Sequence, residues 1–191
     1  DNDEFHLPRI SELMTSDLQW NAESIKSIVE RYERLLPVGA WPNWSVGNHD
    51  KHRVASRYGT NQARLAMMLL LTLRGTPTIY YGDEIGMEDA WIPSEHIQDP
   101  WELKSSGIGV GRDPERTPMH WNDEANAGFC DDSTVPWLPM TADYRYVNVK
   151  TQQNDQKSQL VLTRSLLSLR KEYPALQLGD YKSLYAPGNL Y

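Results

Sequence analysis

Asn48, His49 and Asp50 are consecutive, and they follow a short run of apolar and small residues, Trp44-Ser-Val-Gly47. An amide, an imidazole and a carboxylate placed where a buried strand gives out can bind hydroxyls, move protons or balance a positive charge. At the C-terminal end of a parallel barrel strand, such residues point into the mouth where barrel enzymes do their chemistry. Asp50 is therefore a catalytic candidate, although one carboxylate does not make an active site. A structural reading stands beside it: an aspartate ahead of Lys51-His52-Arg53 can cap a helix that starts there. A metal centre of His49, Asp50 and His52 fails on spacing, since His-Asp-Lys-His has no third clear ligand at a metal-site interval. No metal is expected.

Two other patterns lack the context their chemistry needs. Gly107-Ile-Gly-Val-Gly111 superficially matches a dinucleotide loop, but its third glycine falls one position early. No strand precedes it and no helix clearly opens on it, and the fingerprint needs that context. A Gly-x-Ser-x-Gly nucleophile elbow is absent. No organic cofactor is expected.

Composition narrows the function classes. The 191 residues suffice for one domain with a real core. Their net charge is −7 with no basic run, which argues against a nucleic-acid partner, because neutralising phosphates needs clustered positive charge. Cys130 is the only cysteine, so no internal disulfide or multi-cysteine zinc cluster is available. That fits a reducing compartment, and a cytoplasmic location is favoured. The longest apolar run, Ala66 to Leu71, is far too short to span a membrane. No signal peptide is recognisable and the first residue is not Met, so the true N-terminus is expected to lie outside this sequence. Seven Trp and ten Tyr against two Phe suit either a wet, polyhydroxylated ligand or ordinary packing.

The elements that must position Asp50 alternate in kind. Phe5-His-Leu-Pro8 reads as a weak strand, and apolar residues at helical spacing predict a helix over 21–36 with Asn21 as its N-cap. Trp44 to Gly47 is the next strand. Asn61 to Arg74 is a buried helix stopped by Gly75 and Pro77, and Thr78-Ile-Tyr-Tyr81 is a further strand. This is the βαβ rhythm of a parallel sheet or barrel. It stops after Gly82. Residues from about 86 to 154 hold half of the prolines and little periodicity, a stretch too long for an ordinary loop. An amphipathic helix follows, from Leu160 to Lys171 with a stop at Pro174. Residues 176–191 read as the start of a β-rich unit.

Several motifs in order carry a family resemblance. Gly47-Asn-His-Asp50 resembles the fourth signature region of the α-amylase superfamily, glycoside hydrolase family 13. Gly75-Thr-Pro-Thr-Ile-Tyr-Tyr-Gly-Asp-Glu-Ile-Gly-Met87 is similar to the eighth strand that follows it. Gly111-Arg-Asp-Pro-Glu-Arg-Thr-Pro-Met-His-Trp121 is similar to a segment of the α-glucosidase and oligo-1,6-glucosidase branch. Ala127-Gly-Phe129, Trp137-Leu-Pro139 and Tyr146-Val-Asn-Val149 continue in that order.

The resemblance implies an α/β fold: the C-terminal part of a (β/α)8 TIM barrel, from about the sixth strand to the eighth helix over residues 1–175. The long loop at about 86–154 would follow the eighth strand, and residues 176–191 would begin a truncated C-terminal β-domain. A complete barrel takes about 250 residues, so the nucleophile and the acid/base are expected upstream and absent from this chain. Glu4 reads as a solvated or capping carboxylate and not as the acid. The resemblance assigns Asp50 the role of transition-state stabiliser, His49 a hydrogen bond to the same sugar, and Arg116 a contact with the terminal sugar. Arg112 either pairs with a carboxylate and shapes the same pocket or makes a loop salt bridge. Tyr80 and Tyr81 read as strand core, and His120 stands where the branch usually has Gln. The implied activity is retaining hydrolysis of short α-glucosides, with oligosaccharide substrates and no activity from these residues alone. Two alternatives are a non-catalytic relative, like the transporter heavy-chain ectodomains, and a carbohydrate-binding module.

Overall fold

Helix α1, Ala22–Leu35, starts where the side-chain oxygen of Asn21 accepts a hydrogen bond from the Ser24 amide at 2.8 Å. That satisfies one of the donors every helix N-terminus leaves open. Ile25, Val29 and Tyr32 form its buried stripe, so this is the helix the spacing predicts over 21–36. The computed structural model describes residues 12–14, 18–105 and 107–184. Glu4 and the weak strand at Phe5 to Pro8 lie outside them.

Strands β1, Asn43–Ser45, and β2, Thr76–Thr78, pair in parallel, with Asn43 opposite Thr76, Trp44 opposite Pro77 and Ser45 opposite Thr78. Both begin earlier and end sooner than the apolar pattern predicts, for reasons the side chains supply. Beyond β1, the Gly47 carbonyl accepts from Ser45 Oγ at 2.8 Å and the Val46 carbonyl accepts from Arg57, so both are diverted from the ladder. Beyond β2, the chain turns at Gly82, which sits at φ 89°. Tyr80 and Tyr81 are consequently not strand core. Their hydroxyls donate to the carbonyls of Glu115 and Thr117 at 3.0 and 2.7 Å, pinning a distant loop.

Two helices connect the strands: α2, Val54–Tyr58, and α3, Thr60–Thr72. Ala63, Ala66, Met67, Leu70 and Leu71 are buried along α3, at the spacing of one helix face. They share a core with Val29, Val46 and the fully buried Trp44. The Trp44 indole lies edge-on to Tyr32 at 4.8 Å, and its N–H donates to the Arg74 carbonyl at 2.7 Å, so the buried polar edge is satisfied. Gly75 is required where α3 gives way to β2. It adopts φ +98°, and a Cβ there would meet the Pro42 carbonyl oxygen at 2.4 Å.

Residues 86–154 contain helices α4, Pro100–Lys104, and α5, Val149–Gln152, with 3-10 turns at Ser94–His96, Asp113–Arg116 and Ala125–Gly128. No strand occurs among the described residues of this stretch. Buried polar side chains hold it instead. His120 is fully buried, its Nδ1 2.9 Å from the Val147 carbonyl and its Nε2 2.7 Å from Thr141 Oγ1. Burial pushes its imidazole below the usual range, and the neutral ring can donate at Nδ1 while accepting at Nε2. A small second core of Ile85, Met87, Met119 and Leu160 ties the stretch to helix α6, Gln159–Glu172.

Helix α6 is the predicted amphipathic helix, capped by Ser158, whose side chain accepts from the Val161 amide at 3.1 Å. It lies on α3, and near its end the buried Arg170 donates to the carbonyls of Leu71 and Leu73 at 3.0 and 2.7 Å and to that of Gly75. A guanidinium thus takes carbonyls that the end of α3 leaves without helical partners. A short helix α7, Ala175–Leu178, stands where the sequence suggests a β-rich unit opening at Leu176. Residues 185–191 lie outside the described set. No helix among the described residues is long and apolar enough to cross a membrane.

Candidate active site

Past β1 the chain makes a tight turn. The Asp50 amide donates to Asn48 Oδ1 at 2.9 Å, and Asn48 bridges Lys51 in antiparallel fashion, which lifts His49 and Asp50 to an exposed tip. Asp50 does not cap a helix. Helix α2 starts at Val54, the cap position belongs to Arg53, and no side chain closes it. His49 Nε2 lies 3.3 Å from Asp50 Oδ2.

Two guanidiniums converge on the other oxygen. Arg112 Nη1 and Arg116 Nη2 donate to Asp50 Oδ1 at 3.1 and 3.0 Å, and Arg116 Nε donates to the His49 carbonyl at 2.8 Å. Arg112 is itself clamped by Asp99: Nε and Nη2 reach the two carboxylate oxygens at 2.7 and 3.0 Å, and its amide adds a third bond at 2.7 Å. Its planar face covers Trp101 at 4.5 Å. Arg112 therefore pairs with a loop carboxylate and also reaches Asp50. Desolvation pushes the Asp50 carboxyl up, but the Arg112 hydrogen bond and the charges of His49, Arg112 and Arg116 outweigh it, and the net shift is downward. The Arg112 hydrogen bond also holds Asp99 well below the usual carboxylate range, and Asp99 in turn raises Arg112. The shift favours the anionic form of Asp50.

The loop that brings the arginines over is built on internal carboxylates. Asp113 Oδ2 accepts the amides of Gln98 and Asp99 at 2.6 and 2.8 Å. Glu102 accepts those of Gly107, Gly109, Val110 and Gly111, between 2.8 and 3.3 Å. Here the dinucleotide-like glycines find their purpose. Gly107 and Gly109 sit at positive φ, and the loop's amides cradle an anion that the chain supplies itself. Desolvation opposes the charge on Glu102, and the amides prevail.

Beneath the turn lies a charged centre that the sequence reading misses. Arg53 is fully buried, with Nη1 donating to the Tyr81 carbonyl at 2.7 Å and its guanidinium over the rings of Tyr80 and Tyr81 at 5.1 and 4.9 Å. Asp83 Oδ1 stands 4.0 Å from it, and burial pushes the Asp83 carboxyl up to about 7. Gly47 is needed here, because a Cβ would lie 2.6 Å from Asp83 Oδ2. A second cluster joins distant parts of the chain. His52 Nδ1 is 2.8 Å from Asp89 Oδ2, and a carboxylate oxygen of Glu115 completes a triad of donors within 4.8 Å of one another. Burial pushes the Glu115 carboxyl up to about 7. His52 thus pairs with Asp89 and not with Asp50. The triad's members stand 37 and 26 positions apart along the chain, so no local motif announces them.

The alpha-amylase catalytic-domain family matches residues 4–179. The chain belongs to that family. An alpha-glucosidase of Apis mellifera is 37% identical over 159 residues, covering 79% of this chain and 27% of its own length. The amino acid transporter heavy chain SLC3A1 of Homo sapiens is 33% identical over 159 residues, covering 83% of this chain and 22% of its own. Among solved structures, the alpha-glucosyl transfer enzyme XgtA superposes with a TM-score of 0.78 at 39% identity, over 88% of this chain and 31% of XgtA. The chain spans about a quarter of the length of the curated relatives it matches. Within the alpha-amylase family frame, the Asp50 turn and the arginine-bearing loop form one exposed face with a carboxylate at its centre.

Proposed function

We propose that this chain is the later part of an α-glucosidase barrel, running to about residue 175 before a C-terminal β-domain, and that Asp50 stabilises the transition state of glycosidic cleavage. The observation that carries the reading is the arrangement around Asp50: one oxygen held by Arg112 and Arg116, the other beside His49 and open to solvent. Retaining glycosidases place a nucleophile and an acid/base about 5–5.5 Å apart across the scissile bond, and the sugar at the transition state flattens and gains positive charge. A fixed anion that accepts sugar hydroxyls holds the distorted ring and favours that charge, an effect larger in the transition state than in the ground state. His49 adds a hydrogen bond to the same sugar, and Arg116 reads its oxygens while keeping Asp50 in place. The nucleophile and the acid/base come from outside these residues. Substrates are short α-glucosides, because the loop over residues 86–154 walls the pocket.

The test is Asp50→Asn in the full-length protein. Release of glucose from maltose and isomaltose should fall in kcat by about 100-fold or more with the fold intact, the scale of losing one transition-state electrostatic contact. A variant keeping over a tenth of wild-type kcat removes Asp50 from the mechanism. The similarity to a transporter heavy chain favours a second reading, in which the fold is kept without catalysis. That reading stands if the full-length wild-type protein releases no glucose from either disaccharide.

A further inference from the structure

We propose that His52, Asp89 and Glu115 form a binding site for a divalent transition-metal ion of the zinc class, which clasps the turn carrying Asp50 to the loop carrying Arg116. The donor set is one imidazole nitrogen and two carboxylate oxygens, within 4.8 Å of one another. Such a mixed set suits a borderline-soft divalent ion, whereas calcium and magnesium sites are built from oxygen donors. The second observation is Glu115 itself. Its side chain is 2% exposed, yet carboxylate atom Oε2 has no hydrogen-bond partner. Buried carboxylate oxygens are ordinarily paired, and an ion between the three residues would supply the missing partner.

Asp89 is oriented as a ligand would be. Its Oδ1 accepts the Arg53 amide at 2.8 Å, which leaves Oδ2 turned to His52 Nδ1. Zinc bonds of ~2.0–2.1 Å put tetrahedral donors roughly 3.4 Å apart. The His52 side chain is 54% exposed and can turn to close the widest gap. A cavity of about 220 Å³, lined by His52, Glu115, Asp50 and Arg112 among others, gives an ion a way in and leaves room for water as a further ligand. His52 lies two residues past Asp50, and Glu115 immediately precedes Arg116. A bound ion would therefore fix the distance between the two halves of the face described above.

The binding claim is independent of the glycosidase reading, and its test does not use turnover. Full-length protein stripped with a chelator is titrated with ZnCl2 by calorimetry, and its thermal unfolding is followed in parallel. One equivalent should bind with a rise in Tm. His52→Ala and Glu115→Gln should each weaken binding by more than the ~10–100-fold that loss of an outer-shell partner costs. The exposed His52 position keeps the test open if the buried Glu115 variant fails to fold. Co2+ should give absorption bands of a four- or five-coordinate site that vanish in His52→Ala. No binding, calcium bound more tightly than zinc, or unchanged zinc affinity in either folded variant would overturn the site and leave His52 and Asp89 as a simple hydrogen-bonded pair.

Discussion

Arg116→Lys separates two contacts that a single guanidinium now makes. Nε serves the His49 carbonyl at 2.8 Å and Nη2 serves Asp50 at 3.0 Å, on two edges of one rigid plane. An ammonium is a point donor on a flexible stem and cannot span both. One charge-assisted hydrogen bond is therefore lost. Such bonds contribute about 1.5–3 kcal/mol when shielded, and exposed ion pairs only about 0.2–1 kcal/mol. The side chains of Arg116 and Asp50 are 24% and 44% exposed, which places this bond between those limits, at about 1–1.5 kcal/mol. At 1.36 kcal/mol per decade, kcat/KM should fall roughly 5- to 13-fold, mainly through a raised KM. Arg112 still donates to Asp50 at 3.1 Å, so the carboxylate stays paired and Tm should hardly move. The assay is steady-state glucose release by the full-length protein on maltose and isomaltose. Unchanged kinetics on both sugars would make Arg116 a structural residue. A collapse of kcat beyond about 1,000-fold would equally refute the argument, since it would put the guanidinium at the reacting bond.

Three further outcomes follow from particular contacts. Gly75→Ala combines a left-handed φ with a Cβ 2.4 Å from the Pro42 carbonyl oxygen, and should lose about 2–4 kcal/mol in denaturant unfolding; a loss under about 0.5 kcal/mol would mean that the turn relaxes freely. Asp83 is raised from 3.8 to about 7, so the folded protein keeps a proton that the unfolded chain gives up. Its contribution is present at acid pH and lost as pH rises from about 4 to 7, on the order of 4 kcal/mol at most. Asp83→Asn should therefore show a flatter stability profile across that window, and parallel profiles would remove Asp83 as the cause. The isolated 191 residues should not hydrolyse p-nitrophenyl α-glucoside; measurable hydrolysis, with a contaminating enzyme excluded, would place a full set of catalytic carboxylates inside this chain.

What the sequence made legible is what local chemistry decides. Asn21 before an apolar stripe, Ser158 before another, and Gly75 between a helix and a strand each declare an element, because caps and glycine act over a few residues. The strands were displaced because their ends depend on distant partners. Arg57 takes the Val46 carbonyl, and Glu115 and Thr117 take the tyrosine hydroxyls. The four site residues named by resemblance do meet on one face. What spacing could not reveal is the support for them. Asp99 reads as an ordinary loop carboxylate until Arg112 is seen clamped to it, 13 residues on. Arg53 sits in a polar run that looks exposed, yet it is fully buried under two tyrosine rings. Burial of a charge is a tertiary property, and period and composition carry almost no trace of it.

Arg170 reaches back across 95 residues to the Gly75 carbonyl, and across 99 to that of Leu71. Everything between those points, including the whole excursion over residues 86–154, leaves from one end of a fastened joint and returns to the other. Loop closure becomes only slowly more costly with length, about 0.6 kcal/mol for each doubling. With both ends riveted, the excursion can lengthen, shorten or change sequence while α3, β2 and α6 keep their mutual register. Changes of length within it need not disturb the sheet beneath. The same joint makes Arg170 intolerant of replacement: a lysine there could not serve three carbonyls at once. Away from the residues that carry and brace the face around Asp50, change can accumulate in the loop so long as one arginine in a remote helix stays where it is.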